Sequence, residues 1–508
     1  MRGLVLLAAT VLTLPTLAWA GANVEACLAD PEPLCVLTLA DDMVRHSGDA
    51  HAAKYLGSSV AGAWASHGAK DRAHDLAAAL PSPSARAEAW GTIAATLGDE
   101  ESRNSAIAEA RGILDPLDRV HTLLSLSRRL DNPDPLMSAV TEVEKIADVE
   151  IRHQALIEVS AALAASGRSA MARSTARVMA QDDTGREATL AAVVDAEASD
   201  SRLDDASITF AEMIPGPARD EAASTLARAL ALNGDTAAAL VLADDIADED
   251  AQAWALASVV AAGGTEQLDR IPWGEARDMA LSSLSSDALQ AGDTRAAQDT
   301  AQDIGNDETR AIALRAVARK VSGGRATMIA AEIDHPEIRA AIMADAAETT
   351  AKTGRVIAAV AMADSIALPA YQALGLLKVA AVTGDTDMFA RAMAAAETLS
   401  GEERDDAIAA IATAQADNGN FGAARVTTEA IADAEHRGFT EWQIARLEAL
   451  AAKTGMTAET LGAIAAPLPR ALALSEIGEH ASALKAALEV TESAARAETL
   501  IVVASAMR

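Results

Sequence analysis

The sequence predicts an all-α solenoid of stacked helical hairpins, and three observations predict it. First, an arginine returns fifteen residues before a glycine: Arg152 and Gly167, Arg219 and Gly234, Arg277 and Gly292, Arg339 and Gly354, Arg404 and Gly419. Units of roughly thirty residues that recur in this way cannot bury an apolar face alone and must stack on their neighbours. Second, apolar residues between these landmarks recur at helical spacing, and no strand pattern interrupts them. Third, 50% of residues are hydrophobic but only 2% are aromatic. Alanine therefore carries the packing, and it favours helices that approach closely.

Taken in order, residues 1–20 combine Arg2, an apolar run from Leu4 to Leu14, Pro15 and the small-residue pattern Ala18-Trp19-Ala20. This reads as a cleaved secretory signal. A lipid anchor at Cys27 is the competing reading, and the charge of Glu25 two positions upstream does not suit it. No later segment offers about 18 uninterrupted apolar residues. Residues 21–45 form a short N-terminal segment holding the only cysteines, Cys27 and Cys35. In an oxidising compartment a local disulfide between them is the default, restricting the unfolded chain by about 2–3 kcal/mol in the entropy model. The closer C-x-x-C spacing of a catalytic dithiol is absent.

Residues 46–508 are expected to form about a dozen or more hairpins. In the five clearest units Leu156, Ala223, Leu281, Met343 and Ile408 lie four residues after the arginine, and Val159, Leu226, Leu284, Ala346 and Ile411 lie seven after it. That spacing draws one apolar stripe on a first helix. The glycine ends this helix. A second helix follows, with Ala172, Ala239, Ala297, Ala359 and Ala424 five residues beyond the glycine. Pro83, Pro116, Pro217, Pro336 and Pro369 mark where one hairpin stops and the next starts.

Acids precede several junction arginines, as at Asp148, Asp182, Asp307, Asp334 and Glu403. Arg152, Arg219, Arg277, Arg339 and Arg404 then have two readings: a basic ladder for an acidic ligand, or ion pairs that tie successive hairpins together. The negative field of the chain favours the second. Near Gly263-Gly264 to Trp273-Gly274 the spacing shortens and Gln252 replaces the arginine, and Pro467 and Pro469 precede a truncated unit.

The unit resembles the tetratricopeptide repeat. The resemblance rests on the small residue of the first helix (Ser160, Ala227, Ser285, Ala347, Ala412), the glycine at the turn and the alanine five residues later. Where that family carries aromatics, this chain has Leu156 and Leu163, or Ala223 and Leu230. The resemblance implies a right-handed superhelix whose first helices line a concave surface that holds peptide segments or partner proteins. Carried across by offset, that surface includes Gln154, Ile157, Ala161, Ala164 and Ala165; Glu221, Ser224, Arg228, Ala231 and Leu232; and Ala341, Ala344, Glu348, Ala351 and Lys352. The Lys, Asn and Arg clamp of some family members has no counterpart in these units.

Forty-two basic residues face 74 acidic ones, a formal net charge of −32. Such a field opposes nucleic acid and anionic lipid. His46, His51, His67 and His74 crowd the first hairpin, but no metal-ligand spacing supports them, so surface histidines are expected. The acids Asp244, Asp245, Asp248, Glu249 and Asp250 lack the order of a calcium loop and read as a solvated junction. Trp64, Trp90, Trp254 and Trp442 are expected in the core. No nucleophile, phosphate-loop or dinucleotide pattern appears, so neither catalysis nor a cofactor or metal is expected.

At the C-terminal end Arg496 opens a further first helix containing Leu500, Ile501, Val502 and Val503, and no second helix follows before Arg508. Adjacent positions point to different faces, so this run is expected to leave a bulky side chain for a second copy or a partner protein, unless other helices bury it. The function expected is an exported, periplasmic, non-catalytic scaffold that binds a protein or peptide. The rival classes are an envelope accessory that handles a glycan or lipid or assists an enzyme, and a structural spacer.

Overall fold

In the computed structural model the described residues are 24–46, 50–130, 132–180 and 182–507. The expected signal, residues 1–20, lies outside them. Among the described residues there is no strand. The helices are α1 (Val24–Ala29), α2 (Pro33–His46), α3 (Ala50–Ser66), α4 (Lys70–Ala79), α5 (Pro83–Leu97), α6 (Glu100–Arg111), α7 (Pro116–Leu130), α8 (Pro133–Val143), α9 (Val149–Ala165), α10 (Ser169–Met179), α11 (Asp183–Ser199), α12 (Leu203–Ala211), α13 (Pro217–Leu232), α14 (Thr236–Asp245) and α15 (Glu249–Ala261). After a 3-10 helix at Thr265–Arg270 come α16 (Glu275–Gln290), α17 (Thr294–Gln302), α18 (Asp307–Ala318), α19 (Gly323–Ala331), α20 (Pro336–Lys352), α21 (Val356–Asp364), α22 (Pro369–Thr383), α23 (Thr386–Ala396), α24 (Gly401–Asp417), α25 (Phe421–Thr428), α26 (Ala434–Ala452), α27 (Ala458–Gly462), α28 (Pro467–Glu476), α29 (His480–Glu489) and α30 (Ser493–Ala506). First helices pack on their own second helix and on neighbouring first helices, as α9 does on α10 and α11. The fold is an all-α solenoid. No helix among the described residues is long and apolar enough to cross a membrane.

The landmarks of the sequence have local causes. At Gly167 the backbone turns left-handed with φ +77°. Gly167 N–H donates to the Ala164 carbonyl at 2.8 Å and Arg168 N–H to that of Leu163 at 2.9 Å, closing the end of α9. A Cβ there would meet nothing within 4 Å, so the backbone angle alone selects glycine. Each of the five marker prolines is the first residue of a first helix, where a missing N–H is harmless. The expected stripe is buried, with Leu156, Val159, Leu226, Ile408 and Ile411 all near zero exposure, although Met343 and Leu284 are only half-buried. Ala172, Ala239, Ala297, Ala359 and Ala424 are fully buried at the seat of the second helices.

The chain divides into two compact units, one of Arg111–Met456 and one combining residues up to Ala110 with those from Thr457 onward. In the latter, Cys27 and Cys35 are joined as a disulfide with their Cα atoms 5.8 Å apart, linking α1 to α2. Helix α1 also lies against α29. Helix α30 packs on α28 and α29 and, on its other flank, on α2 and α3. Helix α2 thus takes the place beside α30 that a second helix takes in the other hairpins. Most of the C-terminal run is thereby covered within the chain, and one of its bulky side chains is left outside. Leu500 and Val503 are fully buried, Ile501 is half-buried, and Val502 alone stays 47% exposed.

Candidate interaction face

The junction arginines hold the stack together mainly through backbone groups. Arg277 donates to the carbonyl of Ile271 at 3.0 Å and Arg339 to that of Ile333 at 3.1 Å, each six residues back at the end of the preceding hairpin. Arg86, Arg310 and Arg470 make the same bond to Leu80, Ile304 and Ile464. Gln252, which stands in for the arginine, reaches the Ile246 carbonyl at 3.4 Å. Carbonyls at a helix end lack intrahelical donors, and the side chain supplies one. Arg219 instead pairs with Asp245 at 3.1 Å and covers the Phe210 ring, while Arg404 donates to Ala430 O at 2.8 Å. Arg152 is half-buried at the equivalent place, its Nε without a partner. Two of the acids before the arginines are helix caps: Asp148 accepts from Ile151 N–H and Asp182 from Gly185 N–H. In the acidic cluster, Asp248 likewise caps α15 through Ala251 N–H.

Sequence reasoning missed the residue after the arginine. Asp278 accepts the N–H groups of Gly305 and Asn306 at 2.7 and 2.8 Å. Asp405 accepts those of Ala432 and Asp433, Asp220 that of Asp248 and Glu187 that of Ile214. Each carboxylate reaches the start of the next hairpin, and all four are buried. Burial works against the charge of Asp405, yet these donors hold its carboxyl below the ordinary range. The available signal was the repeated dipeptide Arg-Asp or Arg-Glu at 186, 219, 277 and 404.

The face formed by first helices carries two clefts of the Arg111–Met456 unit. A cleft of about 770 Å³ crosses α7, α9 and α11. Its floor is small and apolar, made by Leu124, Ala161, Ala162 and Ala165. At one side His121 meets Glu158 at 2.8 Å, and elsewhere Arg128 and Arg168 reach the rim. A second cleft of about 320 Å³ lies between Ala198 and Ser199 of α11 and Arg228 and Leu232 of α13. Ala161, Ala165, Arg228 and Leu232 had been expected here. Ala164, Ala231, Ala341, Ala344 and Ala351, also expected there, are buried, Ala231 and Ala351 in core clusters that include the second-helix alanines Ala239 and Ala359.

Further along the same row the surface is ionic. Lys378 of α22 binds Asp345 and, at 2.8 Å, Glu348 of α20, while Arg319 Nε meets Asp345 at 3.0 Å and Lys352 meets Glu348 at 2.6 Å. Burial opposes the charges of Asp345 and Glu348, but their cationic partners pull both carboxyls below their ordinary values. Lys378 is raised despite its burial by the same two acids.

In the other unit His74, Asp99 and Glu101 offer ligand atoms within 4.8 Å of one another. The ammonium of Lys70 already lies 3.1 Å from Glu101 and 3.6 Å from Asp99, and His74 Nε2 is 3.0 Å from Ser102 Oγ. His74, expected at the surface, is half-buried with its ring edge-on to Trp90 at 4.7 Å. Trp64 and Trp90 are in the core as expected, whereas Trp254 is 40% exposed and Trp442 half-buried.

No protein-family model and no curated protein matches the chain. Among solved structures it is similar to Ton1535 from Thermococcus onnurineus NA1, at 18% identity over 74% of this chain and 95% of that one, with a TM-score of 0.22. It is also similar to a circular tandem repeat protein with novel repeat topology, at 15% identity over 90% of this chain and 98% of that one, with a TM-score of 0.13. The chain is a helical repeat protein.

Proposed function

We propose that this chain is an exported, non-catalytic scaffold, a tetratricopeptide-like solenoid that holds a partner protein or peptide segment in the bacterial periplasm. The observation that carries the reading is the cleft of about 770 Å³ across α7, α9 and α11. Its floor of alanines leaves room for an incoming side chain. The bonded pair Cys27 and Cys35 suits an oxidising compartment.

A photo-crosslinking residue at Ala165, exposed on the first-helix face, should capture one stoichiometric partner in cells. The same residue at Val178, 77% exposed on a second helix, should not. Equal capture from both positions, or none from Ala165, refutes the reading. N-terminal sequencing of the cell-envelope fraction tests export, with cleavage after Ala20 expected and an intact Met1 against it.

A further inference from the structure

The three arginines on the clefts of α7 to α13 lack the bond to a carbonyl six residues back that junction arginines such as Arg277 and Arg339 make. Arg86, Arg173 and Arg186 each sit on a carboxylate of this chain. Arg128 and Arg228 are exposed and Arg168 is half-buried. Arg168 donates only a long bond of 3.4 Å to its neighbour Ser166's carbonyl, and none of the three meets a carboxylate among the described residues. In a chain with 74 acidic residues and 42 basic ones, intramolecular partners are abundant. Cations left unpaired along a groove are where negative charge from outside the chain gains most, because no internal pair has to be broken first.

We infer that this groove binds an extended, acidic peptide segment of a partner protein, in which side-chain carboxylates meet Arg128, Arg168 and Arg228 and small apolar residues lie on Leu124, Ala161 and Ala165. The inference rests on the scaffold reading and specifies its ligand. Length supports an extended occupant. Four successive first helices at about 8–10 Å spacing span about 24–30 Å, which about eight residues in extended form would cover at about 3.3 Å each. The apolar floor supplies affinity by burial, and the arginines set the sign of charge accepted.

The test is selection from a displayed library of random twelve-residue peptides on the full-length protein, with R128E/R168E as the comparison. Both substitutions are at cleft-rim positions and should leave helicity and melting unchanged. Selected peptides should be rich in Asp or Glu beside Ala, Val or Leu. They should bind R128E/R168E at least tenfold more weakly and weaken with added salt. Replacement of their acids by Asn or Gln should cost as much on the wild type and nothing further on the variant. Peptides selected without acidic bias, or insensitive to charge reversal, overturn the inference while the scaffold reading survives. Failure to enrich any peptide on the wild type overturns both.

Discussion

Replacing Asp405 by alanine tests whether a buried carboxylate, rather than apolar stacking alone, fastens one hairpin to the next. Asp405 is 3% exposed and accepts Ala432 N–H at 3.0 and 3.1 Å and Asp433 N–H at 2.8 Å. Alanine leaves two backbone donors without a partner where the second helix of one unit gives way to α26. A buried donor left unpaired costs about 1–3 kcal/mol; Ala432 and Asp433 are exposed residues, so water takes up part of the loss and the two donors together should cost about 1–3 kcal/mol. Asp406, 65% exposed on the same helix, is the matched control, and its alanine variant should cost under about 0.5 kcal/mol. Urea unfolding followed by helical circular dichroism gives the difference. Hydrogen exchange of the peptide spanning 429–436 localises it, with protection of the Ala432 and Asp433 amides falling about a hundredfold for about 3 kcal/mol of local loss. The sign with pH is fixed by the lowered carboxyl of Asp405. Its contribution is complete above the unfolded-state value of about 3.9 and disappears as pH falls through the still lower folded-state value. The gap between wild type and variant should therefore close only in strong acid. A D405A protein no less stable than D406A, with the two amides still protected, would refute the reasoning.

Gly167→Ala should lower stability by about 1 kcal/mol through backbone angle alone, and Gly167→Asn by less, measured by the same unfolding; equal stability of all three would deny the left-handed turn. Leu500→Asp should unfold the packing of α30 on α2, seen as lost protection in both helices, whereas Val502→Asp should leave it intact. Lys378→Met should cost about 1–2 kcal/mol at neutral pH and move the acid-unfolding midpoint upward, because Asp345 and Glu348 lose the cation that depresses them. In the wild type that contribution is lost at low pH as the two carboxyls protonate, and at high pH as Lys378 deprotonates above its ordinary value.

The parts of this fold legible in the sequence are those with a local cause. Left-handed φ requires glycine at Gly167 whatever packs around it, proline is tolerated at the first turn of α5 or α7, and the stripe through Leu156 and Val159 follows from one helix's own period. The residue after the arginine was illegible for the opposite reason. Asp278 and Asp405 act 27 or 28 residues away, on N–H groups identified only once the next hairpin is in place. As dipeptides in an acidic chain they are indistinguishable from solvated charge.

The same distinction explains the C-terminal run and the face. The sequence showed that Leu500 and Val503 needed a cover. It did not show that α2, more than 450 residues earlier, provides it. On the first-helix face Ala161 and Ala165 line a cleft whereas Ala164 and Ala344 are buried, because one alanine's exposure depends on how closely the neighbouring helices approach. That approach also decides chemistry along the row. Where Asp345, Glu348 and Lys378 face one another, the surface answers its own charges. Where Arg128, Arg168 and Arg228 line open clefts of alanine, it does not, and a ligand that supplies carboxylates finds donors it need not compete for.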